Sequence, residues 1–290
     1  ALLMALWALD IKKGDEVITP AVSFIATAAA IDHVGAKPVF VDVAPGSLNV
    51  NLDLIENLIT AQTVAVSVVD YGGLPNDYEF LRDICDRYDL KLIVDCAHAL
   101  DTCYNGEHVT KFADYVIYSF QAIKTMTTGD GGMLVVKDKV DYERARRLRW
   151  FGIDRSKKQQ GIWENDITEL GYKYQMTDIS AAIGIASLEE LTKTLKTRRI
   201  LYTTYQRDLE EFGRFLLEKS TNNSSFTPWL VTLNTRGNRV GLMHHLRQRK
   251  VESGQVHYRN DRYSIFQAYK KGPYLNMDEI EDDYLVLPLH

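Results

Sequence analysis

Between residues 11 and 136, short runs rich in β-branched residues recur, each followed by a stretch of helical periodicity. No other feature of the chain restricts its fold as strongly. Alternation of this kind argues βα units and a largely parallel sheet, because neighbouring parallel strands need a crossover and a helix supplies one. The runs predict strands at Glu16 to Thr19, Pro38 to Val43, Thr63 to Val69, Lys91 to Cys96, Asp114 to Phe120 and Met133 to Val136. Between the third and fourth, Asn76 with Glu79 three places on predicts a capped helix. Its Leu81, Ile84, Cys85 and Tyr88 recur at helical spacing and form one apolar stripe.

The remainder is less regular. Arg144 to Arg149 predicts a helix with a solvated basic face, and the polar run Asp154 to Gln160 an exposed loop. Thr177 is placed to cap a helix bearing Ile179, Ala182, Ile183 and Ala186. A long helix follows, with Leu201, Tyr205, Leu209, Phe212 and Leu216 on one side, and the polar run Thr221 to Ser225 ends it. A strand-like run from Phe226 to Leu233, a helix near Asn238 to Arg249 and short strands near Val256 and Leu285 then suggest a compact α+β unit. Ala1 to Leu9 is apolar and helical in propensity but uncapped, and the sequence stops at Leu287-Pro288-Leu289-His290, so it reads as a fragment cut at both ends.

At 290 residues the chain can bury a substantial core, enough for a large unit and a smaller one. A formal net charge of -5 argues against nucleic acid or an anionic membrane as partner, since both demand a basic face. The three cysteines, Cys85, Cys96 and Cys103, are odd in number and lack metal-ligand spacing. With no apolar stretch long enough to span a bilayer and no leader pattern, a cytoplasmic location is expected and a metal site is not. His244 and His245 are adjacent, so on a helix they diverge by about 100° and do not share one ion.

Chemistry enters through two charged residues at the ends of predicted strands. Asp95 closes Leu92-Ile93-Val94, and in open α/β sheets ligands gather at the carboxyl ends of strands. Taken alone, such an aspartate most often caps a helix. Lys124 lies 29 residues later, after the apolar run Tyr115 to Tyr118. Neighbouring strands would turn both side chains into one crevice, where desolvation lowers the basicity of an amine and makes it a nucleophile. Ser119 and the turn Thr127-Thr128-Gly129 offer hydroxyl and backbone donors suited to a phosphate, while Gly131-Gly132 lets the chain turn tightly. His98 and Phe24 offer rings for a flat ligand, although a lone histidine is as often structural and an aromatic in an apolar stretch is usually core. Arg259 and Arg262, after His257, are candidates to meet an anion, against the commoner role of solvating a surface.

Order and spacing say more than any single residue. Along the chain stand Gly14-Asp15-Glu16-Val17-Ile18-Thr19-Pro20, Gly35-Ala36-Lys37-Pro38-Val39-Phe40-Val41-Asp42, Asp95-Cys96-Ala97-His98-Ala99, Ser119-Phe120-Gln121-Ala122-Ile123-Lys124, Gly129-Asp130-Gly131-Gly132 and Gly171-Tyr172-Lys173-Tyr174. In these segments the chain resembles the pyridoxal-phosphate-dependent nucleotide-sugar aminotransferases of the DegT/DnrJ/EryC1/StrS family, over essentially its whole length. The resemblance implies an aspartate-aminotransferase-like α/β fold, with a cofactor-binding large domain over 1–196 and a small C-terminal α+β domain over 197–290. It implies Lys124 as the Schiff-base lysine, Asp95 as partner of the pyridinium nitrogen, His98 beside the ring, Phe24 stacked on it and Ser119 on the phosphate. Relatives often carry an asparagine or a basic residue at the place of Gln175, reaching the phosphate of the neighbouring subunit. By the same resemblance the enzyme is a homodimer with a shared site, its substrates a nucleotide-linked keto-sugar and an amino-acid donor such as glutamate. The Gly-Thr pair with which relatives also grip the phosphate is not in this sequence. Two other readings stand beside the transaminase: a sugar dehydratase, whose relatives replace the lysine by histidine, and a scaffold that keeps the fold without the chemistry.

Overall fold

The structure, a computed structural model, describes residues 1–164, 166–210, 225–269 and 271–289. Every predicted run in the first half becomes a strand: β1 Glu16–Pro20, β2 Lys37–Val41, β3 Thr63–Val69 and β4 Lys91–Asp95. After a small hairpin of β5 Cys103–Tyr104 and β6 Glu107–His108 come β7 Tyr115–Ser119 and β8 Gly132–Val136. Six of them form one sheet in the order β2-β1-β3-β4-β7-β8. All neighbours are parallel except β8, which runs antiparallel to β7. A loop rather than a crossover helix joins those two strands, and a loop returns the chain only in the opposite direction.

Both faces of this sheet are covered, as the near-continuous apolar strands require. Val66, Val68, Leu92, Val94, Val116 and Tyr118 face one core, closed by α3 Ile55–Leu58 and α4 Tyr78–Arg87. Ala65, Ile93, Tyr115 and Ile117, the alternate positions, face another. That second core is closed by α1 Leu2–Ala8, α2 Ala26–His33 and α5 Lys139–Leu148. The N-cap of α4 is Asp77, not Asn76: Asp77 accepts from the Phe80 amide at 3.0 Å. Asn76 is instead buried, its amide donating to Asp70 at 2.9 Å and to the Val69 carbonyl at 3.0 Å. Tyr88 falls at the C-cap, off the buried stripe, and its hydroxyl reaches Glu56.

The polar run expected as a loop contains a short helix, α6 Arg155–Gln159, which Asp154 starts by accepting from the Ser156 amide at 3.0 Å. Thr177 caps α7 Asp178–Glu189 as expected. In α8 Leu191–Glu210, Leu201, Tyr205 and Leu209 pack on β9 Val231–Asn234, α9 Arg239–Gln248 and β10 Tyr284–Leu287. Phe212, Leu216 and the run Thr221 to Ser224 lie outside the described residues. Strand β9 is shorter than the run that predicted it, because the Trp229 amide bonds to Gly72 instead of a strand partner. No strand forms at Val256, where only Gly254 bridges to Val286. Among the described residues no helix is long and apolar enough to cross a membrane.

A further cluster joins the two parts of the chain. Ala21, Val22, Phe40 and Tyr71 from the sheet side pack with Trp229, Phe266, Tyr284 and Met277, the last from α10 Leu275–Ile280. Beside it Arg259, expected at the surface, is buried. Its guanidinium forks onto both oxygens of Asp261 at 2.9 Å each, reaches Glu281 at 3.0 Å and also bonds Asp278. Arg262 shares Glu281 at 2.6 Å but stays 43% exposed. Buried carboxylates that lose their cation are expensive, so Arg259→Ala is expected to cost about 3–5 kcal/mol of stability. Arg262→Ala should cost under about 1 kcal/mol. Urea-unfolding midpoints of the two variants test the difference.

Candidate functional site

A cavity of about 740 Å³ opens at the carboxyl ends of β3, β4 and β7, bordered by α2 and the first residues of α1. The chain reverses its winding here, going from β1 to β2 on one side and then to β3 on the other, which leaves a crevice between the loops. Because β4 and β7 are neighbours with Asp95 opposite Ile117, the residues closing both strands reach the same space. Phe24, Asp95, His98, Ser119 and Lys124 all line it. Gln175 does not line this cavity, and its buried Oε1 has no partner among the described residues.

Lys124 is carried on a loop closed upon itself. Its amide donates to the Gln121 carbonyl at 2.9 Å, and the Thr128 amide donates to the Phe120 carbonyl at 2.9 Å. The hydroxyls expected to face a phosphate are spent inside this loop: Thr127 Oγ1 donates to the Phe120 carbonyl and accepts from the Gly129 amide. Thr128 Oγ1 donates to the Asp130 carbonyl at 3.1 Å. Only Ser119 remains on the cavity wall, its oxygen accepting weakly from the Gln121 amide at 3.4 Å.

Asp95 is held by groups the sequence did not mark. Thr27 on α2 donates to Oδ2 at 3.2 Å and the Ala97 amide to Oδ1 at 3.0 Å. Burial pushes the carboxyl above the ordinary aspartate range, and the Ala97 amide, the Lys124 charge and Thr27 offset this only in part. The carboxylate is therefore short of positive partners and fitted to take one more. Lys124 is displaced in the complementary sense. Burial lowers its amine from 10.5 to about 8, against the pull of Asp95.

The opposite wall comes from the far end of the chain. The Trp229 ring lies 3.9 Å from that of His98, with planes 21° apart, and the Lys124 Nζ sits 3.8 Å from the centre of a Trp229 ring. Trp229 Nε1 donates to the Ile123 carbonyl at 3.2 Å, which fixes the backbone next to Lys124. His257 lies parallel to His98 at 5.4 Å and tilted against Phe24 at 5.9 Å. The turn at Gly72 ties these rings together: its amide donates to His98 Nδ1 at 3.3 Å and its carbonyl accepts from the Trp229 amide at 2.8 Å. Gly73, at φ +101°, admits the Thr227 carbonyl where a Cβ would stand 2.0 Å from the oxygen, so only glycine fits. Beneath the turn Asp70 accepts from Asn76, Tyr78 and Cys96, and burial pushes its carboxyl up to about 6.

Sequence reasoning thus found the residues that ride on the strand ends and missed Thr27, Trp229 and His257. Thr27 stands three residues after Phe24, but nothing local marks a threonine as a carboxylate partner. Trp229 and His257 are brought in only by tertiary contact.

Known proteins with this arrangement are numerous. The sequence profile of the DegT/DnrJ/EryC1/StrS aminotransferase family matches residues 1–290. A GDP-perosamine synthase of Escherichia coli O157:H7 is 34% identical over 276 residues, covering 94% of this chain and 74% of that protein. Among solved structures, the sugar aminotransferase CalS13 of Micromonospora echinospora superposes with a TM-score of 0.92 at 30% identity, covering 99% of this chain and 79% of that one. The PLP form of Spr1654 of Streptococcus pneumoniae gives a TM-score of 0.90 at 27% identity, covering 100% and 79%.

The coupling of Lys124 and Asp95 is testable without any ligand. The folded amine titrates near 8 and an ordinary lysine near 10.5, so between those values the unfolded chain holds more protons. The burial penalty is full below about 8 and vanishes above 10.5, so stability should rise with pH across that window. Lys124→Met should flatten this rise in urea titrations. Asp95→Asn removes the charge that favours the ammonium and should move the amine below about 8, read from the pH dependence of its modification by trinitrobenzenesulfonate. An unchanged or higher midpoint in Asp95→Asn would show that the two charges do not interact.

Proposed function

This chain belongs to the DegT/DnrJ/EryC1/StrS aminotransferase family, and from that premise we propose that it transfers an amino group from an amino-acid donor to the ketone of a nucleotide-linked deoxysugar. The family's enzymes depend on pyridoxal 5'-phosphate, and the cavity fits that group. A buried carboxylate short of positive partners, an amine of lowered basicity, and the rings of His98 and Phe24 suit a flat, cationic heterocycle with a reactive aldehyde. Asp95 would hold the ring nitrogen, Ser119 the phosphate, and His98 and Phe24 the faces. The observation that carries the proposal is the lining of one cavity by Lys124 and Asp95, the amine made less basic by burial and the carboxyl raised by burial, so that a cationic partner would stabilise its charged form.

When bound, the cofactor supplies an aldehyde that condenses with amines and a ring that withdraws electrons. The chain's own residues do the rest. At pH 7.5 an amine titrating near 8 is roughly one-quarter neutral, against roughly 0.1% for an ordinary lysine, so Lys124 gains roughly two orders of magnitude in nucleophile. With cofactor and substrate bound, Lys124 Nζ would serve as a base within the cavity, able to take a proton from one carbon and return it to another. Thr27 and the Ala97 amide fix both oxygens of Asp95, which would favour its charged form once a cationic nitrogen is bound beside it. Trp229 limits where the amine swings, since its indole holds the Ile123 carbonyl and lies against Nζ.

A homodimer is part of the same reading. Helix α7 turns Ile179, Ile185 and Leu188 outward, each more than half exposed, as are Leu170 and Trp163 earlier in the sequence. Apolar surface of this extent marks a contact, and a second copy suits it. Gln175 lies two residues before Thr177, the cap of this helix, and so leads into the same stretch of chain.

Added pyridoxal phosphate should give the purified protein a visible absorbance band, and borohydride should fix the label to the peptide containing Lys124. A Lys124→Ala variant that retained full turnover would exclude the mechanism. Ile179→Glu with Ile185→Glu should shift the sedimentation coefficient from dimer to monomer while leaving the melting curve of the monomer cooperative.

A further inference from the structure

Two opposite charges share the cavity, yet they do not pair. Among the described residues Lys124 Nζ forms no ion pair and no hydrogen bond, and Asp95 acts on it only through space. Each Asp95 oxygen instead accepts from a neutral donor, Thr27 at 3.2 Å and the Ala97 amide at 3.0 Å. The amine sits over Trp229, 3.8 Å from the centre of a ring that is buried and lines the same cavity. An ammonium in that position is drawn by the negative face of the ring quadrupole, most strongly where water is excluded.

The indole is fixed and the amine is not. Trp229 donates its amide to the Gly72 carbonyl at 2.8 Å and accepts on its own carbonyl from Arg198 at 3.3 Å. Its Nε1 donates to the Ile123 carbonyl at 3.2 Å, and its ring stacks on His98 at 3.9 Å. The bond to Ile123 sets where the lysine stem begins relative to the ring, while the four methylenes of that stem leave Nζ free to move. The two histidines of this wall do not compete for the ring face. Burial and the charge of Lys124 hold both His98 and His257 well below the ordinary histidine value, so each is neutral near pH 7.

We propose that Trp229 is a positioning residue whose indole face holds the Lys124 ammonium whenever the lysine is free, keeping it off Asp95; this rests on the aminotransferase reading above. Asp95 is thereby left for a cationic ring nitrogen. A buried pair of lysine and carboxylate would be costly to break each time the amine is needed. The ring acts on the ammonium alone, so loss of a proton releases Nζ as it becomes a nucleophile.

Cofactor-free wild type, Trp229→Phe and Trp229→Met are compared. Phenylalanine keeps an aromatic face, whereas methionine keeps apolar bulk without one. The amine midpoint, read from trinitrobenzenesulfonate labelling of the Lys124 peptide against pH, should lie about 0.5–1 pH unit lower in Trp229→Met than in Trp229→Phe. Equal midpoints, or a higher one in the methionine variant, would make Trp229 a wall against water and overturn the hold. If neither variant folds, wild type decides. Its indole emission should change across the Lys124 midpoint near 8, and Lys124→Met should abolish that step. A step of unchanged size in Lys124→Met would overturn the contact. With pyridoxal phosphate added, the half-reaction with glutamate should run about 10-fold slower in Trp229→Met than in Trp229→Phe, at similar half-saturating glutamate. If wild type runs it and the two variants match in rate and midpoint, the role of Trp229 is overturned and the aminotransferase reading stands. If wild type runs it with no amino acid while the midpoints still differ, that reading falls, and the catalytic use of the hold falls with it.

Discussion

Gly72 makes two backbone hydrogen bonds on which the site depends. Its amide fixes His98 and its carbonyl fixes Trp229, so the turn after β3 joins a residue from the end of β4 to one from far along the chain. Gly73 beside it lets the Thr227 carbonyl come closer than any side chain would allow. Without this close approach, the wall formed by Trp229 and His257 would stand off from the sheet, and Lys124 would be solvated on three sides. Amine basicity here therefore depends on a backbone contact made by neither charged residue.

Burial governs the electrostatics on both sides of the cavity. It raises Asp95 and lowers Lys124, and in each case the opposite charge recovers only part of the shift. A pair wholly satisfied with itself would have little reason to admit a third charged group. Asp70, behind the same turn, is buried too, but Asn76, Tyr78 and Cys96 all donate to it, so its role is to hold the turn. Burial raises both carboxyls, and what separates them is place: Asp95 lines the cavity and Asp70 does not.

The six strands of the large sheet were legible because β-branched runs bounded by turn residues leave little choice of end, and their observed bounds fall within about two residues of the predicted ones. Asp95 and Lys124 were legible for the same reason: each closes or follows a strand, and parallel neighbours bring such ends together. Asn76 and Asp77 both suit a cap, and what decides between them is Asp70, which claims Asn76 for the interior. Arg259 looked like surface because arginine usually is; Asp261 is its neighbour in sequence, but Asp278 and Glu281 are brought to it only by the tertiary fold. Trp229 and His257 carried no local signal, since the cavity residues they pack against, His98 for both, lie more than a hundred residues away.

Synthesis proceeds from the N-terminus, and this gives the two-sided cavity an order of assembly in time. The sheet is complete in sequence by Val136, whereas Trp229 emerges 105 residues after Lys124, and His257 later still. A chain that ends before Trp229 can hold the whole sheet and still lack one wall of the cavity. The burial that lowers the Lys124 amine is therefore a property of the finished fold, expected to reach its full extent only when the last wall docks.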